Sequence, residues 1–465
     1  MKKTIFSLLL VASNLAVADE MRFLRADKDA LQARVDIVQE AKKEILVEYY
    51  SVWNDDQAIG GMALLIDAAK KGIKVKVILD SLSTTVPKKT FAALLALANE
   101  GEVSKNLEIK EYNPLSFNLF KATHRDHAKM LIADGETLIT GGRNIGDKYF
   151  GVNRRRNFSD LDLMAKGNVA KLARENFLTT WNSPAVKTLR LGKYSPERLA
   201  QGSCTAFKNQ EECEIQRVKS NEKFESEKAR ILEVKEEVMT YEEGDLVVPY
   251  SGNDWFKDAY VIDDVKFMSH GAENLVSKET AYLNEDLLKA VANAKEDVNI
   301  ISPYLMPTPN LMKVFADLRS KGVRIRIITN SMNSTDNLFA QAGYRELKFK
   351  LIEMGLEIYE YNGPDTIHAK TAVVDNRVVL IGTYNIDPRS AFINREIGVI
   401  INDEFQTGLA NDLTHIIQGF RENSTLVGKD GVPHNLDIEM KGVSKKKRAL
   451  LKVISKLLPL IRNQL

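Results

Sequence analysis

Residues 127–144 read HAKMLIADGETLITGGRN, and residues 368–385 read HAKTAVVDNRVVLIGTYN. His, Lys, Asp, Gly and Asn recur at the same spacings, 241 positions apart. Each copy runs from strand through turn to strand: HAKMLIAD then TLITGG, HAKTAVVD then VVLIGT. A single His-x-Lys-x4-Asp match is a weak signal. Two matches, each extended by Gly and Asn at equal offsets, are a strong one.

The duplication continues outside these frames. AKKEILVEYYSVW (41–53) parallels AKEDVNIISPYLM (294–306), and KKGIKVKVILDS (70–81) parallels SKGVRIRIITNS (320–331). In the second pair a helix stops at Lys-Gly, and a β-branched strand with alternating basic residues follows. This order, leading into each frame, predicts two α/β domains of one fold. Two copies are far too few for a solenoid. The expected segments are 1–18, 19–199, 200–275, 276–425 and 426–465.

At 465 residues the chain is long enough for two to four domains. Its 44% apolar and 28% charged content is that of a soluble globular protein. The formal net charge is only +2, so any polyanion site must be local. Lys2 and Lys3, the apolar run Ile5 to Val11 and Ala16-Val17-Ala18 predict a signal peptide over 1–18, hence export. The run is far shorter than the ~20 residues of a membrane span. The competing reading is an uncleaved anchor or a buried helix. Without a cysteine near Ala18, lipoprotein processing is not expected.

Cys204 and Cys213 are the only cysteines. In an exported chain they read as a loop-closing disulfide, the alternative being two free thiols in a polar loop. Zinc would need more ligands than this segment offers. Residues 200–275 read as a charged linker or insertion, rich in helix, whose charge run is a solvated face. YSGNDWFKD (250–258) reads as a turn with no assignable chemistry. The tail SKKKRALLKVISKLLPLIRNQL (444–465) places Leu450, Val453, Ile454, Leu457 and Ile461 on one helical face. Lys445, Arg448, Lys452 and Lys456 fall on another, and no acidic residue follows Lys441. That pattern predicts a helix lying on an anionic membrane surface, against the alternative of a helix docked on the core.

Residues two apart on a strand share a face, so His127 and Lys129 point together, as do His368 and Lys370. An imidazole beside an ammonium suits a monoanionic phosphodiester. Asn144 and Asn385 follow a Gly turn, where an amide and a close backbone can join the site. Asp134 and Asp375 sit at strand ends and read as structural, capping turns. Two histidines from two related domains predict one site at a pseudo-twofold interface. One imidazole attacks phosphorus while the other protonates the departing oxygen. Asp160 in NFSDLDLMAKG and Glu396 in INREIGVII are candidates to accept from the Nδ1 atoms, with Asp162 the rival to Asp160. Two lysines and two asparagines then stabilise the equatorial oxygens without a metal or other cofactor. Sequence symmetry does not decide which histidine attacks.

The paired frames resemble the phospholipase D superfamily. GGRNIGDKYF and GTYNIDPRSAFINREIGVI are similar to its bacterial cardiolipin synthase branch, and residues 329–361 with the basic Leu-rich C-terminus resemble the type C synthases most. The likeness spans about residues 25–425 plus the tail. It implies two domains packed across one active site, and phosphatidyl transfer through a phosphohistidine. Matched by motif position, it implies a site of His127, Lys129, Asn144 and Asp160 with His368, Lys370, Asn385 and Glu396. It also favours His127 as nucleophile and His368 as general acid. The export signal departs from the clear membrane spans more usual among such synthases. The implied setting is the periplasm, on the outer face of the inner membrane.

Cardiolipin synthesis from phosphatidylglycerol, with phosphatidylethanolamine a second candidate donor, is the leading expectation. Hydrolysis to phosphatidic acid is its nearest rival, and a secreted endonuclease a third. Neutral net charge and the lack of a basic-aromatic stacking surface weigh against nucleic acid. A scaffold with a retired site would show a damaged frame, and neither frame is damaged. Because one chain carries both motifs, a monomer suffices.

Overall fold

The computed structural model describes residues 18–98, 106–114, 123–195, 209–240, 250–271, 282–428 and 443–461. The expected signal peptide, Ala18 apart, lies outside them. The first half folds on β1 (Asp19–Leu24), β2 (Glu44–Tyr49), β3 (Lys74–Asp80), β4 (Leu107–Tyr112), β5 (Lys129–Ala133), β6 (Thr137–Gly141), β7 (Phe158–Ser159), β8 (Asp162–Lys166) and β9 (Val186–Thr188), with β10 (Tyr260–Ile262) at its edge. Nine of these ten form one mixed sheet, in the order β10-β1-β8-β6-β5-β2-β3-β4-β9. The second half uses β11 (Asp264–Ser269), β12 (Asp297–Ile301), β13 (Arg324–Asn330), β14 (Glu357–Tyr361), β15 (Thr366–Ile367), β16 (Thr371–Val374), β17 (Val378–Gly382), β18 (Ile397–Asn402) and β19 (Ser424–Leu426). Its sheet runs β11-β18-β17-β16-β12-β13-β14-β19. The two orders match along β8-β6-β5-β2-β3-β4 and β18-β17-β16-β12-β13-β14, as a duplication requires.

Local sequence explains the repeat. In β3 and β13 the burial pattern is the same, with Lys74 and Arg324 outward and Val75 and Ile325 inward. The helix before each strand ends at a glycine with positive φ, +90° at Gly72 and +86° at Gly322. Only a residue without Cβ takes that conformation at little cost. Helices Asp27–Glu40, Asp56–Lys70 and Lys88–Ala98 cover the outer face of the first sheet. Helices Tyr282–Ala292, Pro309–Ser320 and Leu338–Glu353 cover that of the second. The inner faces share one core, where Met130, Ile132, Leu163 and Phe177 join Val373, Ile381, Val399 and Leu413. Burial of this apolar area from both halves holds them in one register.

Three expectations are corrected. The segment 200–275 is not a separate linker, because β10 edges the first sheet and β11 already belongs to the second. Its charge run is not wholly solvated either. Helix Gln210–Thr240 packs on the helices Asp56–Lys70 and Lys88–Ala98. Ile231 and Val234 are buried, as is Glu227, which accepts from Thr90 Oγ1 at 2.7 Å and pairs with Lys89. A sparse stripe at 224, 227, 231 and 234 drives this docking through the charged texture. Cys213 on the same helix is buried and disulfide-bonded; Cys204 lies outside the described residues. The tail helix Lys445–Ile461 splits its expected apolar face. Leu451 and Ile454 pack on Met332 and Ala342, while Leu450 and Val453 are exposed. Leu457 lies outside the described side chains. No described helix is long and apolar enough to cross a membrane.

Asp134 and Asp375, with φ of 55° and 52°, close the turns after β5 and β16. Asp134 accepts from the amides of Lys42, Lys43 and Glu44 at 2.9, 2.7 and 3.0 Å. Asp375 accepts from those of Lys295, Glu296 and Asp297 at 2.8, 2.8 and 3.0 Å. Each carboxylate clamps the start of a central strand, away from the frame's histidine. Asp375→Ala is therefore expected to lower stability by about 2 kcal/mol. Calorimetry reads this as a lower Tm, and an unchanged Tm contradicts the clamp.

Candidate active site

Both frame histidines stand just before a strand, and each is held by the opposite half. The His127 amide donates to the Arg395 carbonyl at 2.8 Å, and the Arg395 amide donates to the Arg125 carbonyl at 2.9 Å. In the same way the His368 amide donates to the Ser159 carbonyl at 2.8 Å, where β15 pairs with β7 in parallel. Each bond places the next residue of the partner strand beside an imidazole. Glu396 accepts from His127 Nδ1 at 2.8 Å, and Asp160 accepts from His368 Nδ1 at 2.6 Å. The carboxylates thus pair crosswise, each serving the histidine of the other half. A carboxylate on Nδ1 fixes the proton there and leaves the Nε2 lone pair for the cleft.

The cleft, of about 380 Å³, is lined by His127, Asn144, His368 and Asn385 together. Lys129 and Lys370 are buried behind it, each ammonium donating to its own histidine's carbonyl, at 2.8 Å for Lys129. The Asn144 amide donates to Tyr149 Oη at 2.8 Å and accepts from the Ser51 amide at 3.2 Å. Asn385 Oδ1 is buried and has no hydrogen-bond partner among the described residues. Asp162, the rival to Asp160, is engaged elsewhere: it pairs with Arg34 at 2.8 Å and Arg143 at 3.3 Å. Gly142 accounts for the choice. A Cβ there would lie 2.0 Å from Asp160 Oδ1, so only glycine admits that carboxylate. Among the described residues no group of three or more His, Cys, Asp or Glu is arranged to hold a metal ion.

Electrostatics separate the two imidazoles. Burial, then Lys129 and Lys370, holds His127 well below the ordinary histidine range. His368 is lowered too, by burial and Lys370, with Asp160 opposing the shift only in part. Burial opposes ionisation of Asp160, yet His368, Lys370 and Arg143 outweigh it and hold the carboxyl at about 2. Glu396 goes the other way: burial raises it, against Lys129, Thr383 and Ser390. Burial and mutual repulsion bring Lys129 down to about 7. Lys370 falls to about 8, mainly by burial, with Asp160 and Glu396 opposing.

Sequence reasoning missed several groups. Tyr50 meets His127 edge-on at 4.7 Å between ring centroids, and Tyr149 and Phe158 flank His368 at 5.4 and 5.2 Å. Glu396 also accepts from Thr383 Oγ1 at 2.5 Å and Ser390 Oγ at 2.7 Å. Asp387, on the cleft wall, is raised to about 7 by burial. Arg395 is wholly buried between the halves, donating to Glu48 at 2.5 Å and Asp126 at 2.9 Å. Tyr149, Asp387 and Ser390 follow the frames within a few residues, which is the one signal that pointed to them.

A family model described as cardiolipin synthase, PLD-like domain, matches residues 35–181 and again 287–420. An uncharacterized protein of Helicobacter pylori strain J99 is 30% identical over 81% of this chain and 74% of its own length. Cardiolipin synthase C of Escherichia coli K12 is 29% identical over 82% of this chain and 81% of that protein. The crystal structure of phosphatidylserine synthase from Haemophilus influenzae Rd KW20 shares the fold, with a TM-score of 0.66 at 17% identity. That alignment covers 97% of this chain and 98% of the other.

Gly142→Ala is expected to dislodge Asp160 and move His368 protonation to lower pH, since Asp160 favours the imidazolium. Gly61→Ala, whose Cβ meets nothing within 4 Å, is the control. A histidine NMR titration distinguishes them, and identical His368 curves in the two variants would contradict the packing argument.

Proposed function

The chain belongs to the phospholipase D superfamily, and on that premise we propose that it is a phosphatidyltransferase acting through a phosphohistidine. The observation that carries this reading is the crosswise pairing of His127 with Glu396 and His368 with Asp160, which aims two Nε2 atoms at one cleft. His127, the imidazole more strongly disfavoured as a cation, attacks phosphorus through Nε2. His368, supported as an imidazolium by ionised Asp160, gives its Nε2 proton to the departing oxygen. The phosphorus–oxygen bond breaks as the phosphorus–nitrogen bond forms. A second alcohol then enters, neutral His368 takes its proton, and its oxygen displaces His127. Lys129 and Lys370 supply positive charge behind the phosphoryl oxygens, with the Asn144 and Asn385 amides at the cleft wall.

The finer reading is cardiolipin synthesis, with the head-group alcohol of phosphatidylglycerol as acceptor and phosphatidylglycerol or phosphatidylethanolamine as donor. The family description and the likeness to cardiolipin synthase C support it. The stretch 329–361 and the basic tail support the type C assignment, and the N-terminal eighteen residues support a periplasmic setting. Water in place of the second alcohol gives phosphatidic acid instead.

Incubation with phosphatidylglycerol and phosphatidylethanolamine, separately and mixed, in the presence of EDTA, is expected to yield cardiolipin by mass spectrometry. Phosphatidic acid alone would make the enzyme a hydrolase, and loss of turnover with EDTA would contradict the metal-free route. His127→Ala is expected to abolish a trapped phosphoenzyme; if only His368→Ala abolishes it, the two roles are exchanged. For pH, the sign follows from the lysines. Lys129 is charged below about 7 and neutral above it, so kcat/KM should fall as pH rises through that value. A profile flat to alkaline pH would remove Lys129 from the charge balance.

A further inference from the structure

The helix Lys445–Ile461 has two working faces. Inward, Leu451 and Ile454 join Val443 against Met332 and Ala342, and Lys447 Nζ donates to the Thr335 carbonyl at 3.1 Å. The segment it grips continues directly into Asp336, Asn337 and Ala340, which line the catalytic cleft. Outward, the large apolar side chains Leu450 and Val453 are 52% and 55% exposed. Lys445, Lys446, Arg448, Lys452 and Lys456 are exposed around them. No acidic residue occurs from Lys441 to Leu465, so the helix itself carries only basic charge. Phe339, in the first turn of the helix that carries Ala340, is exposed as well.

Exposed leucine and valine set among lysines match an interface that is apolar inside and anionic at its surface. A nucleic-acid backbone would satisfy the lysines and leave Leu450 and Val453 without a partner. We propose that this helix seats the protein on an anionic phospholipid bilayer, its outer face entering the headgroup region while its inner face holds the cleft wall at the membrane. The proposal rests on the phosphatidyl-transfer reading for its purpose, but binding is measurable without turnover.

The test uses the full chain with vesicles of equimolar phosphatidylglycerol and phosphatidylcholine, and with phosphatidylcholine alone. Wild-type protein is expected to sediment with the anionic vesicles, less so as salt rises. Leu450→Asp with Val453→Asp, and separately Lys445→Gln, Lys452→Gln and Lys456→Gln together, should each weaken binding by about tenfold or more. The aspartate pair should lose a similar factor in turnover of vesicle lipid yet keep turnover of a dispersed short-chain phospholipid within about twofold. Circular dichroism melting confirms that each variant is folded. Equal binding to both vesicle types, wild-type binding by the aspartate pair, or displacement from vesicles by a single-stranded oligonucleotide would each overturn the proposal. Anionic binding by a protein that turns over neither lipid form would support the seating helix while removing the transfer reading.

Discussion

The amide hydrogen bond from His127 to the Arg395 carbonyl, with its counterpart from His368 to Ser159, fixes where everything else in the cleft must sit. Each is a short parallel contact between halves, and in each the next residue along the partner strand is a carboxylate. Backbone geometry therefore delivers Glu396 to one imidazole and Asp160 to the other. Neither frame histidine takes its carboxylate from its own half. The shared apolar core between the two sheets keeps these contacts in register, so folding of the pair and assembly of the site are one event. Arg395, next to Glu396, ties the same segment from inside to Glu48 and to Asp126, which is next to His127.

A duplicated site still has to give its two histidines different work, and the halves differ where that matters. At equal positions in the frames stand Gly142 and Thr383. Glycine lets Asp160 pack close as an ionised partner, supporting an imidazolium at His368. Threonine instead donates to Glu396, which shares its charge among Thr383, Ser390 and His127. The residue before each carboxylate differs too, Ser159 in one half and buried Arg395 in the other. These substitutions break the twofold electrostatically while leaving the backbone frame intact.

The duplication, the α/β class and the histidines, lysines and asparagines were legible because they are periodic and repeated. Asp160 and Glu396 were legible as candidates, and which histidine each serves was not. Parallel bridges of one or two residue pairs leave no periodicity, and their partners are chosen by packing between halves. The choice of Asp160 over Asp162 was also hidden, since it turns on the missing Cβ of Gly142 and the claim of Arg34 and Arg143 on Asp162. Composition misled in two places. The charge-rich helix Gln210–Thr240 conceals a thin buried stripe, and the tail helix divides neighbouring apolar residues between the core and solvent.

Crosswise pairing can be observed directly in the downfield proton spectrum of protein labelled with ¹⁵N-histidine, where a carboxylate-bound Nδ1–H resonates. Glu396→Gln should perturb the His127 Nδ1–H signal and spare that of His368, while Asp160→Asn should do the reverse. If each substitution instead perturbs the histidine of its own half, Asp160 with His127 and Glu396 with His368, the exchange between domains is wrong.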